Sequence, residues 1–190
     1  AIGPVSVQAP NGVIDVVVAD ETEAVAVAKR YLSYFQGPVD EWDCDDQARL
    51  RDVIPENRRR VYDVREVLAT LADTASVLEL RRDFGRTMVT ALMRIEGRPL
   101  GVVANDPAHL GGAIDRDGAD KAARFLQLCD AHDLPVLFLC DTPGFLVGPE
   151  AEAPELRWTG PGGRPHRSTA AILVSNNKYR LGRLVGSGTR

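Results

Sequence analysis

EGRPLGVVANDPAHLGGAIDRDGADKAARFLQLCDAHDLPVLFLCDTPGFLVGPE, residues 96 to 150, decides the fold, because turn chemistry, short apolar runs and one amphipathic pattern agree within it. Leu100 to Asn105 (LGVVAN), entered from a Glu96-Gly97-Arg98-Pro99 turn, and Pro135 to Cys140 (PVLFLC) are too short for helices and rich in branched or large apolar side chains. Both read as buried strands. Between them, GADKAARFLQLCDAH places Ala119, Ala122, Leu126 and Cys129 on one face, and Asp117 stands where a helix N-cap is expected. A strand, helix, strand order of this length predicts a parallel pair. Asp141-Thr142-Pro143-Gly144-Phe145 then leaves the carboxyl end of the second strand, where open α/β sheets place ligand-binding loops.

Working outward toward the N-terminus, residues 87 to 95 (TMVTALMRI) form a strand that the turn folds back as a hairpin. Asp63-Val64-Arg65-Glu66 starts a helix whose Val67, Leu68, Leu71 and Ala72 make an apolar face ending near Asp73. Residues 39 to 62 turn from acidic to basic, carry Pro55 and show no sustained period, so they read as a linker. Arg58-Arg59-Arg60 is read there as a solvated basic run in preference to a phosphate site. Residues 13 to 19 (VIDVVVA) read as a strand, and Asp20 and Glu23 as the capping box of a helix running to about Phe35. Its Ala24, Val27, Tyr31 and Phe35 recur at helical spacing, and Gly37-Pro38 stops it. After Glu152 the character changes. PELRWTGPGGRPHRST has no apolar period, AAILVSNNKYRLGRLVGSGTR offers one short apolar run, and the tail does not fit the architecture before it.

Composition bounds the function classes. With 190 residues and 44% hydrophobic content the chain holds a real core. Its 23 Lys and Arg against 27 Asp and Glu give a net charge of −4, which recommends neither nucleic acid nor an anionic membrane as a partner. No segment is long and apolar enough to span a bilayer. Cys44, Cys129 and Cys140 are an odd, widely spaced set, which argues against a disulfide framework and for the cytoplasm. His109, His132 and His166 show no metal-ligand spacing. The chain begins with alanine and no secretory signal, so it is expected to be a piece of a longer protein.

The chemistry is narrowed by elimination. DTPG after an apolar strand has the shape of a GTPase sensing loop, but no G-x-x-x-x-G-K-[ST] is present to cradle phosphates. Asn177-Lys178-Tyr179-Arg180 carries arginine where a guanine-reading motif needs a carboxylate. There is no G-x-S-x-G elbow and no histidine predictably paired with a nucleophile. What remains is two glycine-bearing turns, His109-Leu110-Gly111-Gly112-Ala113 and Pro143-Gly144-Phe145. Their backbone N–H groups can hold an oxyanion. The competing reading is that the glycines only permit tight turns.

Taken together, PENRRRVYDVREVLATL and GRPLGVVANDPAHLGGAIDRDGADKAARFLQLCDAHDLPVLFLCDTPGFLVGPEAE resemble the carboxyltransferase (β) subunit of biotin-dependent acyl-CoA carboxylases, the acetyl-CoA and propionyl-CoA enzymes. The resemblance runs from about Pro55 to Glu152, and the order YDVRE, GRPxGxVAN, HLxGxxD, KAARFxxxCD, DxPGFxxG is more specific than any one piece. Residues 3 to 37 resemble the end of the first of that subunit's two crotonase-like domains. The resemblance implies an α/β fold of repeated ββα units, present in part. It divides the chain into the end of the N-terminal domain (1–38), a linker (39–62), the first part of the C-terminal domain (63–152) and an unassigned tail (153–190).

It further implies carboxyl transfer from carboxybiotin to the α-carbon of acetyl-CoA or propionyl-CoA, with biotin brought by a biotin carboxylase/biotin carboxyl carrier partner, the coenzyme A thioester as substrate, and a homo-oligomer at full length. Backbone amides stabilise the oxyanions, and no side chain of this chain is assigned as catalytic. His109, Gly111, Gly112, Ala113, Pro143, Gly144 and Phe145 would wall the second domain's pocket through their backbone. The family's two Gly-Gly-Ala loops are absent: one would precede Ala1, the other would follow DTPGF, and Gly162-Gly163-Arg164 does not replace it. The piece alone is therefore expected to be inactive, and the tail to reflect a truncation or a frame shift. Two alternatives stand beside this reading, another crotonase-like acyl-CoA enzyme such as a hydratase or decarboxylase, and a non-catalytic assembly remnant.

Overall fold

The computed structural model describes residues 3–57 and 60–146, and the backbone of 156–159 and 165–168. In chain order the elements of the first unit, Ala1–Ala151, are α1 (Val5–Gln8), α2 (Glu21–Ser33), α3 (Leu50–Val53), α4 (Val64–Leu71), β1 (Leu78–Leu80), β2 (Met88–Ile95), β3 (Arg98–Asn105), α5 (Arg116–Ala131) and β4 (Val136–Leu139). The sheet order is β1-β2-β3-β4, antiparallel across the first two pairs and parallel between β3 and β4.

The β2–β3 hairpin is the centre of this unit. Its two-residue turn has both Glu96 (φ 50°) and Gly97 (φ 74°) in the left-handed region, the primed turn whose twist suits paired strands. Buried Asp73 fixes it by accepting from the N–H groups of Glu96 and Gly97, each at 2.8 Å. Both faces of the hairpin are covered, which is why β2 reads as a continuous apolar run. Met88 and Leu92 face one cluster with Val103, Phe125, Cys129 and Tyr34, so α5 and α2 lie on that side. Val89, Ala91 and Met93 face the other, with Val64, Leu68 and Ala72 of the α4 segment. Complete burial of Leu68 contributes about 1.5–3 kcal/mol.

Helix α2 is tied on by a buried arginine. Arg94 donates to the carbonyls of Ser33 (2.7 Å), Gly37 (3.0 Å) and Gly97 (2.8 Å), and its guanidinium lies 5.2 Å from the centre of the Tyr34 ring. It thus satisfies a carbonyl at the helix C-terminus that has no partner within the helix. Tyr34 hydrogen-bonds in turn to the Ser76 carbonyl. At the other end Asp20 caps the Glu23 N–H at 2.8 Å, while the Glu23 carboxylate accepts from Ala19.

Several expectations are corrected. Residues 13–19 form no strand; among the described residues one backbone bond, Arg81 N–H to Asp15 O (2.7 Å), links them to the end of β1 and no ladder forms, and Val13 and Val17 remain exposed. The cap of α5 is Asp115, whose Oδ1 accepts from Gly118 N–H (2.8 Å) and Thr87 Oγ1 (2.7 Å); Asp117 lies inside the first turn. The buried face of α5 is Gly118, Lys121, Phe125 and Cys129, so the stripe of Ala119, Ala122 and Leu126 is only partly buried. β4 is half-buried rather than buried, with Phe138 exposed, because it stands at the sheet edge. Strand β1 arises in residues 74–86, where the sequence shows no clear period, and the linker folds into the single turn of α3. Helix α2 ends at Ser33. All three cysteines are free thiols.

The second unit, Glu152–Arg190, contains an antiparallel pair, β5 (Leu156–Thr159) with β6 (Pro165–Ser168), in the tail left unassigned from the sequence. Its Gly- and Pro-rich connection, residues 160–164, and residues 169–190 with the Asn177-Lys178 motif lie outside the described residues, as do Arg58 and Arg59.

Candidate active site

Because β3 and β4 are parallel, the loops that leave their carboxyl ends emerge together. Ile114 N–H donates to the Gly144 carbonyl and Leu146 N–H to the Ile114 carbonyl, both at 2.9 Å, a parallel bridge centred on Ile114 and Phe145. Asn105, the buried last residue of β3, holds the same two loops from beneath. Its Nδ2 donates to the Gly112 carbonyl (3.1 Å) and its Oδ1 accepts from Asp141 N–H (3.3 Å). Gly112 has φ 79°, and a Cβ added there would overlap the Asp141 carbonyl, so no other residue fits this crossing. The two glycine-bearing turns read from the sequence are therefore one assembly.

The first turn is unusual in its backbone. Leu110 (φ 49°), Gly111 (φ 60°) and Gly112 (φ 79°) all adopt left-handed conformations in succession. Gly112 N–H donates to His109 O (2.9 Å) and Ala113 N–H to Leu110 O (3.1 Å). The N–H groups of Leu110 and Gly111 have no acceptor among the described residues. Successive free amides in a turn make a concavity that attracts an anion or a developing oxyanion. In the second turn Gly144 N–H donates to Thr142 Oγ1 (3.0 Å), and Phe145 is 72% exposed.

Gly111 lies on the wall of a cleft of about 450 Å³ that also takes in Pro55, Arg60, Tyr62, Pro107 and Asp141. Tyr62 donates to Asp141 Oδ2 at 2.9 Å, joining the segment before α4 to the loop after β4. Burial and that hydrogen bond push the Tyr62 phenol up to about 12, so it stays a neutral donor at physiological pH. Of the other residues expected at the site, Gly112 and Ala113 are buried behind Gly111, and Pro143 is exposed. His109 borders a separate depression with Arg65, Arg82 and Arg86. Among the described residues no group of three His, Cys, Asp or Glu side chains could hold a metal ion.

What the sequence reading missed is the support beneath the turn. Arg65 makes a bidentate pair with Glu79 (2.8 and 2.7 Å) and donates from Nη1 to Asp106 Oδ2 at 2.8 Å. Asp106 is fully buried; its Oδ1 accepts from Ala108 N–H (3.0 Å) and its Oδ2 lies 3.2 Å from His109 Nδ1. Burial pushes the Asp106 carboxyl up, yet the hydrogen bonds from Arg65 and Ala108 hold it net below the usual carboxylate range. A signal was present. Arg65 stands in the first turn of α4, where the helix dipole disfavours a cation, so an external carboxylate was to be sought.

The ββα unit sets the Gly111 turn on the wall of a cleft at the strand ends, and the comparisons give this arrangement a family. The carboxyl transferase domain family matches residues 2–160, and the chain belongs to that family. It is 36% identical over 150 residues to the methylmalonyl-CoA carboxyltransferase 12S subunit of Propionibacterium freudenreichii subsp. shermanii, a match that covers 75% of this chain and 29% of that one. It is 44% identical over 108 residues to the propionyl-CoA carboxylase beta chain of Cereibacter sphaeroides, covering 55% and 21% respectively. Among solved structures, a single-chain, multi-domain long-chain acyl-CoA carboxylase superposes with TM-score 0.78 at 56% identity, over 80% of this chain and 16% of that one. The fold is crotonase-like, as in those carboxyltransferase domains. The chain spans under a third of the length of these relatives.

Proposed function

We propose that this chain is part of the carboxyltransferase component of a biotin-dependent acyl-CoA carboxylase, acting on acetyl-CoA or propionyl-CoA. In this reading residues 1–38 end a first carboxyltransferase domain, 39–62 link, and 63–152 begin the second. The observation that carries it is the pair of free amides at Leu110 and Gly111, with Gly111 on the cleft wall in a member of the carboxyl transferase family. The donors fit an oxyanion without any proton transfer. Biotin, delivered on a carrier subunit, supplies the carboxyl group. This chain's residues orient and polarise: the amides face the oxygen that gains charge, Asn105 fixes their spacing to the Asp141 loop, and neutral Tyr62 holds the Asp141 carboxylate. His109, Gly112, Ala113, Pro143, Gly144 and Phe145 shape the surrounding backbone.

The partner is a biotin carboxylase/biotin carboxyl carrier assembly, and the full-length protein is a homo-oligomer acting in the cytoplasm. The experiment supplies the full-length protein with carboxylated biotin carrier and acetyl-, propionyl- and long-chain acyl-CoA. Carboxylated product from one of the short thioesters is the expected result. Hydration of an enoyl-CoA without any carrier would assign the hydratase reading instead. The 190-residue chain alone is expected to give no product above a control without enzyme.

A further inference from the structure

Among the described residues, the two buried side-chain nitrogens without a hydrogen-bond acceptor are Arg81 Nε and Lys121 Nζ. Both residues line the same cavity of about 130 Å³, which shares no wall residue with the cleft at Gly111, with Asp15, Tyr31, Thr90 and Arg124 among its other walls. Lys121 is 1% exposed and has no carboxylate within 4.0 Å, whereas a buried ammonium is normally paired. Arg81 Nε lies 2.8 Å from Asp15 Oδ1, but off the direction of its N–H bond, so that donor is also unmet. Thr90 gives its hydroxyl proton to Leu80 O. Three cations, Arg81, Lys121 and Arg124, face one carboxylate, Asp15, a local charge of +3 − 1 = +2.

Two unmet donors and excess positive charge around a small, partly open cavity are the chemistry of an anion receptor. We propose that this cavity binds a small oxyanion of carboxylate or bicarbonate size, accepting from Lys121 Nζ and Arg81 Nε. The site is independent of the proposed carboxyl transfer. Beyond the cavity walls, Glu79 and Asp106 favour the charged amine and Arg65 opposes it, as does Arg81 within the walls. Burial dominates and lowers the free Lys121 ammonium to about 8. A bound anion favours the ammonium, so anion affinity falls as pH rises above about 8.

Thermal unfolding of the 190-residue chain in sodium acetate or sodium bicarbonate, against sodium chloride at equal ionic strength and neutral pH, tests this. The wild type should gain about 3 °C at an anion concentration roughly tenfold above Kd. Lys121→Met should fold, since it removes an unpaired buried charge, and should gain nothing from either anion. Raising the pH well past 8 should erase the wild-type gain. No gain in the wild type, as when the cavity holds only water, or an equal gain in Lys121→Met would overturn the proposal.

Discussion

The two loops that meet at the cleft are held by different means. The turn from Asp106 to Ala113 stands on its own buried supports: Asp106 takes Arg65, Ala108 and His109, and Asn105 takes Gly112. The loop from Asp141 to Leu146 is exposed along most of its length and is held from outside, by Asn105 and Ile114 at the two ends of the first loop and by an exposed hydrogen bond from Tyr62 before α4. A receptor for developing charge needs donors that are fixed before the reaction, because reorganisation at that moment raises the barrier. The loop with its own buried supports carries the free amides, which suits the proposed role.

The comparison breaks most completely at Arg65. Arg65→Ala leaves Asp106 and Glu79 without their countercharge in a low-dielectric setting, and the expected loss is about 3–5 kcal/mol in urea unfolding. The pH dependence has a defined sign. Asp106 is depressed in the folded state, so its contribution is present above the unfolded value of about 3.9 and is lost as pH falls through the folded one. Arg65→Ala should flatten that acid limb. Asn105→Ala separates the two loops while leaving the Arg65 pairs intact; about 1–3 kcal/mol is expected, with faster hydrogen exchange at the Asp141 amide. Tyr62→Phe removes one exposed bond to the dependent loop. Its cost should be about 0.5–1.5 kcal/mol, and the absorbance step of a phenol ionising near 12 should disappear.

The sequence made the hairpin and the β3–α5–β4 unit legible, because each rests on local periodicity and turn residues that act over a few positions, whereas the two glycine turns were set side by side only by the family resemblance. It misled where a local pattern lacked a partner. VIDVVVA has the composition of a strand, but a strand needs a ladder, and beside β1 these residues share only the bond from Arg81 N–H to Asp15 O among the described residues. The face of α5 was misread because alanines at 119 and 122 look apolar while Lys121 does not, yet the stem of Lys121 packs inward with Phe125. Arg65 in the first turn of α4 signalled a carboxylate partner, but which carboxylates meet it was not legible. Glu79 and Asp106 lie 14 and 41 residues from Arg65, and only the folded sheet brings them together. The free amides of Leu110 and Gly111 depend on three consecutive positive φ angles, one of them at a leucine, which residue preference does not signal.

The central claim is that the Gly111 amide is an oxyanion donor, and a backbone substitution tests it without altering any side chain. Replacing Gly111 in the full-length protein by glycolic acid exchanges the N–H for an ester oxygen and keeps the turn free to adopt φ 60°. Loss of a preorganised donor of this kind costs about 10²–10³ in kcat, so carboxyl transfer to the acyl-CoA should fall by roughly that factor with KM and unfolding midpoint nearly unchanged. A kcat within about twofold of the unmodified protein would contradict the assignment.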